Sequence, residues 1–486
     1  MIKQIQTTPT DVTLHDEYSK SAFSLFILTV SLILAFINVV LKDDYHIGVW
    51  NIVSFLLLLA PLGWMIIKKE IKNRYTVWFL PVVLILLTDI FVYSNAFVQG
   101  FLPGILFLLI VILYLSSMQN VQSLYQTLIP HKAIPFKIIG YIKMFIGNLL
   151  IYKKHKSIYS RVGLALLITV PFIALFMSLF MAADINFSTF IESLFRFDLG
   201  IKVHHAVLIP IYLVAFLLLF IYSLSNAKER ETLRTDKQFD PLIVGIFLGM
   251  LNLLFITFLL FQINYLFGGE SYIKEMGINI AEFARQGFFQ LMWVMGIVLS
   301  IFLLIMSRYH GEKGTAVLLS GLILSTMVIG LASLKKMHLY QSIKGATVLR
   351  YYVEWFDYFL LLVLGLGIVF ILKRIYFSKL LDSIVFIAII AFTIVSSMNI
   401  DYMVASHNIK KFGNTPKLLD KKAISELSID ALPVIHDTDI GLKRSAYRYD
   451  PERHCDKLKE YHYGYCSLIK EYGSDQMIYV DQLGNI

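Results

Sequence analysis

Apolar runs of about twenty residues recur along this chain from Ala22 to Met398, separated by short polar stretches. A helix needs about 20 mostly apolar residues to cross a hydrocarbon core roughly 30 Å thick. The pattern predicts eleven spans: 22–41, 47–67, 77–93, 101–118, 162–183, 206–224, 241–263, 287–306, 315–334, 353–372 and 381–398. The first run is too long for a signal peptide and no small-residue cleavage site follows Leu41, so it reads as an uncleaved anchor. The expected fold class is all-α, a polytopic transmembrane helical bundle over 22–404. Residues 1–21 precede it, and a small α+β tail occupies 405–486.

Polar residues between the spans set the expected orientation. Lys and Arg crowd alternate loops: Lys68, Lys69, Lys72 and Arg74; Lys132 to Arg161; Lys228 to Lys237; Arg308 and Lys313; Lys373, Arg374 and Lys379. Cytoplasmic loops carry this excess. The N-terminus is therefore expected inside and the tail outside. Two stretches resist. Residues 134–152 are apolar enough to span, but Lys137 and Lys143 share a side with Gly140 and Gly147, which favours an amphipathic helix lying in the interface. If that stretch spans, everything after it inverts. The loop after the ninth span carries Lys335, Lys336, Lys344 and Arg350, although alternation places it outside.

Composition changes the picture little. The 486 residues are 57% hydrophobic and 16% charged, with mean hydropathy +0.69, against roughly 25% charged residues in soluble proteins. The net charge of +9 lies in short loops, which points to lipid headgroups and topology and away from nucleic acid. In the tail, 417–432 reads as an amphipathic helix ended by Pro433, and Met477 to Val480 as β-prone. The chain's two cysteines, Cys455 and Cys466, both lie there. A disulfide in an oxidising compartment is the leading expectation. A zinc site with His454 and His462, or free thiols in a cytoplasmic tail, are the alternatives.

Few polar residues interrupt the spans. Asp89 in the third, and Asn252 and Gln262 in the seventh, are intramembrane candidates, the latter two chiefly for hydrogen bonds between helices. Pro171 predicts a kink. Other polar groups gather at helix ends expected outside: Asp184, His204, His205, Glu282, Arg285, Lys336, His338, Tyr340, Arg350, Glu354, Asp357, Asp401, His407 and Asn408. They make either a solvated rim or a binding site.

At these residues the chain resembles a bacterial family of multi-pass proteins, the domain-of-unknown-function family 4153/4173. The matching stretches are Ala183-Asp184 with Phe187, Asn252 through Phe255 to Gln262, Tyr265 to Gly269, and Ala281 to Leu291. They continue with Lys336 to Tyr340, Gly345 with Thr347 and Arg350, Asn399 to Asn408, and Leu427 to Pro433. Lys336 stands where the family pattern leads one to expect Arg, and Ala346 where Leu is usual. The resemblance implies a membrane-embedded bundle in a bacterial inner membrane and no established activity.

Three functions are open. In the first, an anionic lipid headgroup or glycan phosphate binds at the outer face. Arg285, Lys336 and Arg350 would contact it, oriented by Glu282 and Asp401, with Tyr340 and Asn408 as further ligand-binding candidates. In the second, Asp89, Asn252 and Gln262 line a transport path. In the third, His338, Asp401 and His407 act as acid–base groups of an outer-face enzyme. No metal motif, P-loop or dinucleotide fingerprint is present in the sequence, so no cofactor is expected.

Overall fold

A computed structural model describes residues 26, 29–34, 49–117, 119–128, 157–194, 239–275, 287–413, 423–424, 426–436, 455 and 463–472. Side chains beyond 262 in the helix that ends at Glu275 are not described. Helices in chain order are α1 (Val49–Ile67), α2 (Arg74–Val92), α3 (Ala96–Gly100), α4 (Leu102–Ser117) and α5 (Leu124–Leu128). Then come α6 (Ile158–Ala183), α7 (Ile185–Leu194), α8 (Pro241–Glu275), α9 (Phe288–Met306), α10 (Lys313–Lys344), α11 (Val348–Lys373) and α12 (Phe377–Ser396). The last are α13 (Ile400–Phe412), α14 (Leu432–His436) and α15 (Tyr463–Tyr472). Among the described residues, seven helices (α2, α6 and α8 to α12) are long and apolar enough to cross a membrane. Two shorter apolar helices occupy Asn51–Ile67 and Leu102–Ser117. The chain is all-α in its described residues and has the architecture of a multi-pass membrane protein.

The contacts divide the chain into two compact units, 131–391 and 1–130 with 392–486. In the 131–391 unit, α8 packs on α6 and α10, while α9 packs on α6, α10 and α11. An aromatic cluster fills the space between α6, α7 and α8. Phe180 stacks on Phe258 with ring centroids 4.0 Å apart, Phe187 meets both rings edge-on, Phe255 meets Phe180 edge-on, and Phe176 meets Phe255 edge-on. Such offset and edge contacts suit the ring quadrupole and add to the burial itself. The outward side chains of the same helices are also large and apolar: Leu253, Leu260, Trp293, Val317, Leu324 and Leu362. A helix that is apolar all round is buried or faces lipid, and here one side packs while the other meets the hydrocarbon.

Polar residues join these helices where apolar packing would leave room. Asn252 donates from Nδ2 to its own-helix Leu248 carbonyl (2.7 Å) and across to Leu318 of α10 (2.9 Å). Gly321 permits this, since a Cβ there would lie 2.8 Å from Asn252 Oδ1. At the start of α8, Asp240 accepts the Leu242 N–H and receives the Arg161 guanidinium through both Nε (2.6 Å) and Nη2 (2.5 Å). Burial alone would raise its carboxyl, but Arg161 and the helix N–H groups hold it below the ordinary value.

The 1–130 and 392–486 unit packs α1, α2, α4 and α5 together, with α13 to α15 of the tail. Asn73 caps α2 by accepting from Tyr75 N (3.0 Å) and donates to Thr127 of α5 (3.1 Å). α15 lies against α2, with Phe91 stacked on Tyr463. Cys455 and Cys466 are joined, their Cα atoms 5.5 Å apart. That bond takes both thiolates away from the zinc alternative.

Several sequence expectations change. The ninth span and its basic loop are one helix: α10 runs on through Lys335 and Lys336 to Lys344, and Gly345 to Thr347 make the whole link to α11. Pro433 does not end a helix. It is the second residue of α14, where its missing N–H costs nothing. Pro171 lies within a continuous α6. The described tail residues contain no strand, and 477–480 lie outside them. Most of the first span, the sixth span, the stretch 134–152, and His204, His205, His454 and His462 also lie outside the described residues.

Candidate functional site

The end of α6 sets the first element of a buried polar layer in the 131–391 unit. Asp184 stops α6, its N–H bonding to the Phe180 carbonyl, and then caps α7 by accepting the Phe187 N–H at 2.9 Å. Its second oxygen receives Gln262 Nε2 from α8 at 2.8 Å. Gln262 is fully buried. Lys336 reaches the same place from α10. Its ammonium donates to the Ala183 carbonyl at 3.3 Å and sits in the field of Asp184, with the residue only 4% exposed. Gly287, at the start of α9, closes on Ala183 from another side: a Cβ there would overlap the Ala183 carbonyl and lie 2.6 Å from its Cα.

The layer continues along the α10–α11 contact. Ser333 and Lys336 are three residues apart on α10, and Glu354 and Asp357 three apart on α11, so each pair shares a helix face. Asp357 and Ser333 are both 0% exposed. The Ser333 hydroxyl lies beside the Asp357 carboxyl without bonding to it, and among the described residues neither Asp357 oxygen has a hydrogen-bond partner. Glu354 accepts from Gln341 Nε2 (2.9 Å) and Tyr358 Oη (3.4 Å), and pairs with His338 Nε2 at 2.5 Å. The His338 side chain is 54% exposed, so this is the exposed end of the layer. Asp184 and Lys336 on one contact of α10, and Glu354, Asp357 and His338 on another, give the described part of this unit three carboxylates and two basic groups along membrane helices, and ionisable groups within a membrane are candidates for a functional role.

Arg350 stands apart from that chain of contacts. Its Nη1 donates to the Gly345 carbonyl at 2.5 Å and its guanidinium lies 4.3 Å from the Tyr340 ring centre. Arg285 and Glu282 lie outside the described residues. Asp401 and Asn408 belong to the other unit and are buried. Asp401 accepts the Ser428 N–H at 2.7 Å, and Asn399 donates to the Asp430 carbonyl at 3.2 Å. Asp430 in turn accepts the Ser94 N–H at 2.8 Å. Burial, reinforced by the nearby Asp401 charge, pushes the Asp430 carboxyl up to about 7. Asp89 is buried in this unit too and accepts from Ser397 Oγ at 2.9 Å. These carboxylates hold the tail onto α2 and α13.

Of the anion-binding constellation expected from sequence, Arg285 and Glu282 lie outside the described residues, and the other members fall in two separate units. Lys336 and Arg350 share a unit with different partners, and Asp401 and Asn408 act in the other. Sequence reasoning passed over Ser333 and Gln341 and gave Asp357 no role. The signal was present as two polar pairs at i, i+3 on otherwise apolar helices.

No curated protein and no solved structure matches the chain. The family model of a domain of unknown function, DUF4153, matches residues 12–438, a longer stretch than the motifs from Ala183 to Pro433 cover. With that match spanning most of its length, the protein belongs to the DUF4153 family.

Proposed function

We propose that this protein is a multi-pass inner-membrane protein that binds a small cation or a proton in the polar layer of its 131–391 unit and moves it across the membrane. One observation carries the reading. Asp184, Glu354 and Asp357 outnumber the basic groups around them, and Lys336 already faces Asp184. An acid-rich buried site favours a cation, because an added anion would meet three carboxylates. The eleven-span, N-inside topology belongs to the same proposal. It puts the layer at the outer membrane boundary and the disulfide-bonded tail in an oxidising compartment.

The test is ion movement in sealed vesicles that hold the purified full-length protein. A trapped pH dye and a trapped Na⁺ dye would be followed under imposed gradients. The wild type is expected to move one of these ions, and Glu354→Gln to slow it. No movement of either ion by the wild type would sink transport. A second reading, an anionic lipid headgroup or glycan phosphate at the outer face, keeps Arg350 and Tyr340, whose stacked pair is only partly buried. On that reading Arg350→Ala abolishes binding to vesicles containing anionic lipid while membrane insertion stays normal.

A further inference from the structure

Asp357 is the carboxylate of the layer that no hydrogen bond reaches among the described residues, and its surroundings specify what it can bind. α10 brings the Ser333 hydroxyl to it, and α11 itself brings Glu354 and Tyr358. α9, which also packs on α11, buries only apolar side chains. The ammonium of Lys336, one turn along from Ser333, is directed to Ala183 and Asp184. Among the described residues, a charged carboxylate here would have no cation and only the Ser333 hydroxyl beside it to offset its desolvation, which costs several kcal/mol even in relaxed protein interiors. A carboxylic acid carries no such cost and can donate its O–H to Ser333.

We infer that Asp357 is a proton-binding site, loaded from the exposed end of the layer through His338 and Glu354. The inference rests on the cation-site reading above and names its ion. The steps balance as proton transfers alone. Water protonates the exposed His338 imidazole, His338 Nε2–H passes a proton to Glu354 Oε1 across their 2.5 Å contact, and Glu354 passes one to the Asp357 carboxylate. One positive charge enters the layer and no electrons move. Tyr358 and Gln341 keep Glu354 oriented between its two neighbours.

Infrared difference spectroscopy on the full-length protein in lipid vesicles tests this without relying on transport. A pH titration should show the C=O stretch of a protonated carboxylic acid persisting at neutral pH. That band should vanish in Asp357→Asn, whose amide mimics the neutral acid and preserves the fold. It should shift in Ser333→Ala, and in His338→Gln it should stay while its rate of appearance after a pH jump falls. A band unchanged in Asp357→Asn would overturn the proposal. So would a wild-type band abolished by Na⁺ at constant pH, since the site would then hold the metal cation. Proton flux from the same vesicles separates the two claims. A band dependent on Asp357 with no flux leaves the proton site standing and removes transport, whereas flux retained in Asp357→Asn removes this residue and leaves transport.

Discussion

Replacing Gly287 by alanine should damage the polar layer from a position that carries no polar side chain. Gly287 has φ +84°, a left-handed conformation that costs a residue with a Cβ about 1–2 kcal/mol. The new methyl would also overlap the backbone of Ala183, which cannot rotate away as a flexible side chain could. Overpacking of this kind costs about 1–3 kcal/mol. Ala183 supplies the carbonyl that accepts Lys336, so its displacement weakens a bond to a charged group, worth about 1.5–3 kcal/mol. Together these give an expected loss of about 3.5–8 kcal/mol. The measurement is denaturant unfolding of the purified protein in detergent, followed by tryptophan fluorescence. Gly249→Ala is the control: its Cβ meets nothing within 4 Å, and alanine there should stabilise α8 by about 0.5–1 kcal/mol. If the two variants unfold together, Gly287 does not hold α9 against Ala183, and the close approach that builds the layer is refuted.

Other perturbations reach other parts of the molecule. Asp430 sits at about 7 when folded against an ordinary 3.8, so the folded state binds the extra proton between those values. Stability of the tail packing should fall as pH rises through that window, by up to about 1.4 kcal/mol per unit, and level off above it. Asp430→Asn should flatten the profile, and hydrogen exchange of α13 and α14 against pH would show whether it does. Removing the disulfide with Cys455→Ser should cost about 2–3 kcal/mol, given a loop of this length; an unfolding midpoint equal to wild type would contradict it. Asn252→Ala loses the bond to the Leu318 carbonyl and should destabilise by about 0.5–2 kcal/mol in the same detergent assay, a range typical of polar links between membrane helices.

The apolar runs located the membrane helices well because burial and lipid exposure both demand uninterrupted apolar sequence, as in α8, α9 and α11. Their ends were less legible. Hydropathy falls at Lys335, but nothing there breaks a helix before Gly345, so α10 continues for a further ten residues and carries Lys336 into the interior. Lys336 therefore read as a loop cation free to bind an anion, when its partner Asp184 stands more than 150 residues earlier in the chain. The same limit hid the Asp357 site. The Ser333–Lys336 and Glu354–Asp357 spacings are visible in sequence, whereas the pairing of the two helix faces depends on Gly330 and Gly345, which allow close packing and a three-residue link. Asp401, a polar residue after the last span, resembled part of a rim, and Asp430 carried no reading of its own. Only the fold shows them accepting backbone N–H groups that anchor the tail.

An outward-facing, acid-rich polar layer is tested most directly by chemical access to its exposed end. His338→Cys would be introduced into full-length protein whose Cys455 and Cys466 are both replaced by serine. Cells with permeabilised outer membranes would then be treated with a membrane-impermeant maleimide. His338 is half-exposed, and the proposed N-inside topology puts it on the outer side, so it should label before the inner membrane is opened. A buried control, Ser333→Cys, should stay unlabelled. Labelling of His338→Cys only after the inner membrane is disrupted would place the layer on the cytoplasmic side and contradict the topology on which the proposed route of the proton depends.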